Sequence, residues 1–225
     1  MTLWKLLPGI CVLCRSYTGR RMDLCRACAA DLRPNIGACP RCAIPTPLRE
    51  GHCPACQLAP PPYARAVVPY LYVPPITRLI HGLKQGNGLI EARILAALMV
   101  DALSRDDPPD VIVPVPLTYR RRIQRGYNQS ALLAAQIART VDAPVDYRSL
   151  KRIRHTAPQR TLDAAARRRS QAGAYRASAD FLERDIAVVD DVMTTGATAA
   201  EIATTLLEAG AAAVRIWAVA RTLSD

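Results

Sequence analysis

Apolar and polar positions in residues 63–225 follow a pattern that predicts buried strands alternating with helices. Continuous apolar runs at 111–115 and 186–189, and a third run at 214–220 that is interrupted only by Arg215, are typical of strands in a parallel sheet that is covered on both faces. A further apolar stretch precedes them at 66–73. Helical periodicity predicts helices between these runs, at Ile76–Leu83, Leu89–Leu103, 128–140 and Ala197–Glu208. Such an alternation predicts an α/β fold with a parallel sheet.

The first 60 residues differ from the rest of the chain. Cysteine, proline and arginine dominate them, and the run Pro60-Pro61-Pro62 stiffens the exit from this region. We therefore expect two units, a small module in residues 1–60 and a larger α/β domain in residues 63–225. An arginine-rich loop is expected after the strand at 111–115, and residues 148–169 are arginine-rich with weak periodicity.

Composition places the chain among soluble globular proteins. Of its 225 residues, 50% are hydrophobic and 22% are charged, which excludes a wholly disordered or fibrous chain. No apolar run reaches the ~18 residues of a membrane span, and Pro8 and Gly9 interrupt the apolar start. We therefore expect a cytoplasmic protein without a membrane span, whose cysteines are reduced.

Positive charge is concentrated in the middle of the chain. The formal net charge is +11, and residues 118–176 alone hold 14 basic and 3 acidic residues. Too few carboxylates lie nearby in the sequence to pair with these cations, so the segment must face an anion or water. Phosphate groups are the obvious candidates.

The cysteines form a regular ladder of Cys-x-x-Cys pairs, each starting 14 residues after the one before. Two such pairs complete a tetrahedral shell of four thiolates around zinc, which leaves no position for water and is therefore structural. The ladder predicts two zinc sites with these ligands: Cys11, Cys14, Cys25, Cys28, Cys39, Cys42, Cys53 and Cys56.

The spacing leaves the pairing of the cysteine knuckles open. Consecutive pairing, with the first four cysteines on one ion and the last four on the other, closes shorter loops, but a cross-braced arrangement is also compatible. Disulfides are the main alternative to zinc, and they suit a secreted protein better than a cytoplasmic one. Two zinc shells bring the formal charge of residues 1–60 from +5 to about +1, so this module is not strongly basic.

Residues 188–198 are the clearest candidate for ligand binding. They follow a predicted strand and lead into the helix Ala197–Glu208, with Asp190 and Asp191 at the end of the strand. The turn at 194–198, called the phosphate loop below, offers backbone N–H groups and up to three hydroxyls at a helix N-terminus, where a phosphate is stabilised. The two carboxylates can together accept the two hydroxyls of a ribose. The alternative is an Asp cap and a threonine-rich turn without a ligand.

Six segments together resemble one protein family. Residues 189–198 resemble the phosphoribosyl pyrophosphate (PRPP) signature of type I phosphoribosyltransferases, and the cysteine ladder is similar to the double zinc ribbon of the ComF (competence protein F) family. Four further segments resemble that family: Leu79-Ile80-His81-Gly82-Leu83-Lys84, Val113-Pro114-Val115-Pro116-Leu117, Arg125-Gly126-Tyr127-Asn128-Gln129 and Thr156-Ala157-Pro158-Gln159.

The resemblance implies a type I phosphoribosyltransferase-like fold, a Rossmann-like parallel sheet under a small hood, preceded by the double zinc ribbon. It implies PRPP with Mg²⁺ as ligand, and Asp190 and Asp191 as the catalytic pair that holds the ribose hydroxyls. The residues implied for the 5′-phosphate are Thr194, Thr195, Gly196, Ala197 and Thr198. Those implied for the pyrophosphate, with the arginines as a mobile basic flap, are Lys84, Pro114, Val115, Arg120, Arg121, Arg122 and Arg125.

Two functions are compatible with the resemblance. The first is a phosphoribosyltransferase that displaces pyrophosphate from C1 of PRPP, with the acceptor left open. The second is a noncatalytic PRPP-type scaffold that binds single-stranded DNA in competence and DNA uptake, alongside other competence proteins. Six-oxopurine enzymes carry an acidic residue at the position of Thr194, so hypoxanthine and guanine are disfavoured as acceptors. The chain also departs from the family pattern at Ser170-Gln171.

Overall fold

The structure is a computed structural model, and it describes residues 9–47, 51–86, 88–104, 107–153, 173–178 and 181–223. The family-like segment at 156–159 and the departure at 170–171 lie outside these residues. In chain order, the described elements are α1 (Arg26–Ala30), α2 (Pro54–Leu58), β1 (Arg65–Val67), β2 (Tyr70–Leu71), α3 (Ile76–Leu83), α4 (Leu89–Leu103), β3 (Val111–Pro114), α5 (Tyr119–Arg125), α6 (Gln129–Val141), β4 (Leu150–Arg152), β5 (Tyr175–Ala177), β6 (Asp185–Met193), α7 (Ala197–Glu208) and β7 (Ala213–Arg221).

A parallel sheet lies at the centre of the protein. β6 and β7 are its longest strands and pair with each other; β3 pairs with the free edge of β6, and β1 and β2 pair in succession with β7. Val188 of β6 lies opposite Val113 of β3 and Ile216 of β7, so the apolar runs stand side by side. β4 and β5 form a separate antiparallel ribbon.

Helices cover both faces of the sheet. Successive residues of a strand point to opposite faces, and in β6 and β7 both sets of side chains are largely apolar, so each face needs a cover. Val189 and Trp217 join a core with α3, α4 and α6 on one face, whereas Val188 and Ile216 join a core with α7 and the β4–β5 ribbon on the other. The predicted Rossmann-like parallel sheet is thereby confirmed. Among the helices that the structure describes, none has the length and apolar character to cross a bilayer.

The cysteine-rich region contributes to both cores. Cys11 and Leu24 are fully buried in the core with α3 and α4, and Ala43 belongs to the core with α7. The backbone N–H of Asn35 also donates to the carbonyl oxygen of Pro69 at 2.8 Å, beside β2. Residues of the zinc-binding region are thus packed against the sheet and its covering helices.

The arginine-rich segment after β3 is a helix, α5, and the prediction of a loop was wrong. The Thr118 hydroxyl accepts a hydrogen bond from the backbone N–H of Arg121 at 3.3 Å and caps its first turn. Gly126, with φ +79°, ends the helix in the left-handed conformation. The helix has no periodic apolar stripe, and none of its residues is buried. Its only signals in the sequence are therefore the two capping residues, Thr118 and Gly126.

Strand β6 continues beyond its predicted end at 189. Val192 and Met193 remain paired with Ala220 and Arg221, because β7 is equally long. The acidic pair therefore lies within the strand, two residues before its end.

Candidate functional site

A cavity of about 1200 Å³ opens beyond the C-terminal ends of β3 and β6, which is the edge of a parallel sheet where α/β proteins bind ligands. Predicted site residues from several separate segments line it: Lys84, Val115, Arg120, Arg121, Arg125, Asp190, Asp191, Thr194, Gly196 and Thr198. The fold thus gathers the two carboxylates, part of the phosphate loop and four cations around one space. Arg152, which the sequence did not single out, also lines it.

Four residues of the predicted site do not line the cavity: Pro114, Arg122, Thr195 and Ala197. Pro114 is buried at the end of β3. The Arg122 guanidinium lies over the Tyr119 ring, 5.9 Å from its centroid. The Thr195 hydroxyl accepts a hydrogen bond from the Ala197 backbone N–H at 3.4 Å, so this pair shapes the start of α7.

Gly196 is required by the shape of the phosphate loop. It has φ +80°, where residues with a side chain are strained. A Cβ at this position would lie 3.2 Å from the Met193 methyl carbon and 3.3 Å from the Tyr63 hydroxyl. The loop can therefore turn from β6 into α7 with its backbone close to its neighbours only because this residue is glycine.

Each carboxylate of the acidic pair is held by a different partner. Asp191 is 5% exposed, forms an ion pair with Lys84, and accepts a hydrogen bond from Gln129 Nε2 at 3.4 Å. Asp190 Oδ1 accepts hydrogen bonds from the Ser130 hydroxyl at 3.1 Å and from the backbone N–H of Asp191 at 2.9 Å. Lys84 and the first turn of α6 therefore orient both side chains.

The two carboxylates differ in their electrostatic surroundings. Asp190 is partly buried in the wall of the cavity. Desolvation there, together with the neighbouring Asp191 carboxylate, raises the pKa of Asp190 well above the ordinary value. Asp191, in contrast, has the ammonium group of Lys84 beside it. Asp190 therefore keeps a proton at pH values where an ordinary aspartate is ionised.

The segment that joins α5 to α6 connects the cavity to the surrounding loops. The Tyr127 hydroxyl donates to the carbonyl oxygen of Leu83 at 2.7 Å, and Asn128 Nδ2 donates to that of Val115 at 3.0 Å. Arg125 Nη1 donates to Gln129 Oε1 at 2.5 Å. The stretch 125–129 thus contacts three parts of the cavity wall. It holds Leu83, the neighbour of Lys84; it holds the end of β3; and through Gln129 it reaches the acidic pair.

Gln129 and Ser130 are site residues to which the sequence analysis gave no role. Both are buried polar side chains, at 6% and 0% exposure, which is unusual unless they have partners. The available signal was Asn128, whose side chain accepts a hydrogen bond from the Ser130 backbone N–H and caps α6. α6 comes after β3 in the chain, and its first residues lie at the edge of the sheet where β3 ends. Gln129 and Ser130, at its start, are therefore placed beside the predicted ligand-binding residues.

The cysteines form two separate clusters, Cys11 with Cys14, Cys25 and Cys28, and Cys39 with Cys42, Cys53 and Cys56, and within each the sulfurs lie within 4.8 Å of one another. The sulfurs of Cys14 and Cys25 are 3.7 Å apart, and those of Cys42 and Cys53 are 3.6 Å apart. Four ligands at the ~2.3 Å typical of Zn–S bonds fit such spacings. The two clusters support two structural zinc sites, called zinc site 1 and zinc site 2 below. The pairing that the spacing left open is consecutive.

Backbone amides prepare one cysteine of each site for metal binding. Burial opposes ionisation of Cys11, but hydrogen bonds from nearby backbone N–H groups prevail and lower the pKa of its thiol to about 6. The same balance lowers the pKa of Cys39 to about 7. The thiolate is the form that binds zinc, so these two cysteines are ready ligands near neutral pH.

Comparison with known proteins gives matches over nearly the whole chain. Residues 3–57 match the model of the double zinc ribbon domain family. DNA utilization protein YhgH of Salmonella typhi is 38% identical over 224 residues, covering 96% of this chain and 99% of that protein, and its Escherichia coli K12 counterpart has the same values. Competence protein F of Haemophilus influenzae is 36% identical over 171 residues, covering 72% of this chain and 74% of its own.

Two solved structures also align with part of the chain. A purine phosphoribosyltransferase from Pyrococcus horikoshii aligns with 56% of this chain and 79% of its own at 16% identity, with a TM-score of 0.35. Glutamine PRPP amidotransferase from Bacillus subtilis aligns with 58% of this chain and 27% of its own at 23% identity, with a TM-score of 0.40.

Proposed function

The chain belongs to the ComF (competence protein F) family, and from that premise we propose that it is a phosphoribosyltransferase that uses PRPP. The observation that carries the proposal is the convergence of an acidic pair, part of the phosphate loop and five cations on one cavity. In the proposed reaction, the bond between C1 of the ribose and pyrophosphate breaks, and pyrophosphate leaves with the electron pair. A lone pair on the acceptor forms the new bond to C1.

The ribose 5-phosphate part of the substrate would bind at the end of β6. The N-terminus of α7 and the Thr198 hydroxyl are suited to the 5′-phosphate, because both offer hydrogen-bond donors where the helix dipole favours an anion. Asp190 and Asp191 would accept the ribose hydroxyls. With both ends fixed, C1 is held in one position and the ring cannot rotate away from the leaving group.

Charge stabilisation accounts for the rest of the proposed mechanism. Positive charge develops on the ribose as the C1 bond breaks, and the acidic pair stabilises it. Lys84, Arg121 and Arg125 line the same cavity and would stabilise the negative charge on pyrophosphate. Carboxylate oxygens are donors that Mg²⁺ prefers, and bound Mg²⁺ would neutralise part of the charge on the leaving group.

Calorimetric titration tests the proposal directly. With Mg²⁺ present, PRPP should bind more tightly than ribose 5-phosphate, because only PRPP has a pyrophosphate for the arginines. Arg121→Gln should lower the affinity for PRPP by roughly 5- to 30-fold, the effect of one or two kcal/mol, and leave the affinity for ribose 5-phosphate unchanged. Absence of PRPP binding by the wild-type protein would contradict the proposal.

Affinity for PRPP should rise with pH between about pH 7 and pH 9, above the titration of the phosphates themselves near ~6. The raised pKa of Asp190 means that the folded protein holds a proton there, and this proton must leave before Asp190 can accept a ribose hydroxyl as a carboxylate. The same shift predicts that stability falls as pH rises from the ordinary aspartate pKa of about 3.9 toward the raised value, because the unfolded chain releases this proton more readily.

Calorimetry in buffers of different ionisation enthalpy measures how many protons the protein releases when PRPP binds. PRPP binding should release a proton from the wild-type protein, and Asp190→Asn should abolish that release. A release of equal size in the variant would assign the proton to another group.

Single-stranded DNA binding is a second candidate function, supported by the surface of α5. Tyr119 and Ile123 are 68% and 64% exposed, and the neighbouring Arg120, Arg121 and Arg122 are exposed as well. Arginines that contact phosphates beside an exposed aromatic ring are the combination that sequence-independent single-strand binding uses. The printed names of the relatives refer to DNA utilization and competence.

Replacing Arg120, Arg121 and Arg122 together by glutamine should weaken binding of an oligothymidylate. The slope of the logarithm of the binding constant against the logarithm of the salt concentration should become shallower by roughly 0.7 per lost phosphate contact. The matched control replaces three exposed arginines elsewhere, Arg26, Arg33 and Arg139, which changes the net charge equally. Equal losses in both triple variants would assign the effect to net charge and remove α5 as a DNA site.

A further inference from the structure

Arg221 is a buried cation that the proposed mechanism does not use. It is the last residue of β7 and is only 3% exposed. Its Nε donates to the backbone carbonyl of Cys42 at 3.2 Å, and its Nη1 donates to the backbone carbonyl of Met193 at 3.1 Å. Cys42 belongs to zinc site 2, and Met193 directly precedes the phosphate loop. A single guanidinium thus joins the metal site to the loop.

Tyr63 makes a second connection between the same two places. It is 2% exposed and belongs to the same core cluster as Ala43, the residue after Cys42. Its hydroxyl lies 3.3 Å from the point where a Cβ on Gly196 would be. The phosphate loop therefore rests against a side chain that is packed beside zinc site 2.

Charge makes this connection depend on the metal. A zinc ion with four thiolates has a net charge of about −2, which stabilises a buried guanidinium beside it. Without zinc, the four sulfurs no longer converge, and the carbonyl of Cys42 loses its fixed position. Arg221 then keeps only its contacts at Met193 and Thr222, and the end of β6 loses one of its supports.

Zinc site 1 lies in different surroundings. Cys11 and the partly buried Cys25 and Cys28 pack against the core with α3 and α4, on the opposite face of the sheet from α7. Among the hydrogen bonds of the described residues, none joins a cysteine of zinc site 1 to the phosphate loop. The chain thus contains two chemically equal zinc sites, of which one is linked to the phosphate loop through Arg221 and Tyr63.

We propose that Arg221 is a positioning residue that makes phosphate binding at the loop dependent on zinc at zinc site 2. The identity of the ligand, ribose 5-phosphate or PRPP, rests on the proposed function, whereas the coupling between metal and loop rests on the contacts of Arg221 and Tyr63. Both zinc sites are structural, but they are not equivalent for ligand binding.

The first test is Arg221→Met, with Arg215→Met as its matched control. Arg215 is a buried arginine on the same strand, at 8% exposure, and it pairs with Asp185 at the other end of the sheet. We expect Arg221→Met to lower the affinity for ribose 5-phosphate by about 10-fold or more and Arg215→Met to leave this affinity unchanged. Both variants should still contain two zinc ions per chain. Arg221→Lys, which keeps the charge, should restore part of the affinity. Equal losses in the two methionine variants, or no loss in Arg221→Met, would overturn the proposal.

The second test compares Cys39→Ser with Cys11→Ser, and it applies even if Arg221→Met does not fold. Each variant should retain one zinc ion, but only Cys39→Ser should lose affinity for ribose 5-phosphate, by about 10-fold or more. Hydrogen exchange of residues 193–198, measured relative to that of the central strand β3, which reports global stability, should increase in Cys39→Ser alone.

The exchange measurement separates this inference from the proposed function. If the wild-type protein binds neither ribose 5-phosphate nor PRPP, the proposed function fails, while faster exchange in Cys39→Ser alone still supports the coupling. If both serine variants exchange alike at 193–198, the coupling is wrong whatever the protein binds.

Discussion

Replacing Asp190 and Asp191 together with asparagine should abolish most of the PRPP affinity and leave the fold intact. Each substitution keeps the size of the side chain but replaces a charge-assisted hydrogen bond to a ribose hydroxyl with a neutral one, which costs about 1 to 2 kcal/mol. Two such losses reduce affinity by roughly 100-fold if they add. Calorimetry with PRPP and Mg²⁺ measures the change, and thermal unfolding measures the fold.

The contacts of the acidic pair make this prediction sharper. Asp191→Asn releases Lys84 from its ion pair, so free pyrophosphate should bind the double variant at least as well as the wild type. Ribose 5-phosphate, which shares the ribose hydroxyls, should lose as much affinity as PRPP. Asp185→Asn is the matched control, because it makes the same chemical change at the opposite end of the same strand. If the double variant binds PRPP like the wild type, the acidic pair is a structural feature and not a ribose site.

Removing zinc should destabilise the whole chain in one transition. Structural zinc contributes about 10 to 16 kcal/mol of binding free energy in small zinc domains, and so short a cysteine-rich region has little core of its own. Leu24 and Ala43 are buried in the two cores of the sheet, so loss of the metal also opens gaps there. Calorimetric unfolding with and without a chelator should show a large decrease in Tm, reversed by added zinc.

Metal analysis provides the companion measurement. The two clusters predict two zinc ions per chain. One ion or none in the purified protein, or a thermal transition that is insensitive to chelation, would contradict the assignment of both clusters.

Local sequence patterns were sufficient for most of the elements. The bounds of α3 and α7 agree with the helical periodicity, because an apolar stripe at a spacing of 3.6 residues is itself the reason why a helix packs on a sheet. The bounds of α4 agree as well, although this helix is apolar on nearly all sides. The zinc ligands were also readable, since both sulfurs of a Cys-x-x-Cys knuckle reach one metal without help from distant residues. Helix α5 was missed because it has no apolar stripe and buries none of its residues.

The sequence by itself determined most of the candidate site residues, but the tertiary structure alone decided what each one touches. Asp190, Asp191 and the phosphate loop stand out because a strand, a turn and a helix follow one another there. Gln129 reaches Asp191 across 62 residues, and Arg221 reaches Cys42 across 179. Contacts over such separations depend on the register of parallel strands and on how helices and loops pack against them, and no local periodicity encodes either. The partners of the acidic pair, and the unequal positions of the two zinc sites, therefore appear only when the chain is folded.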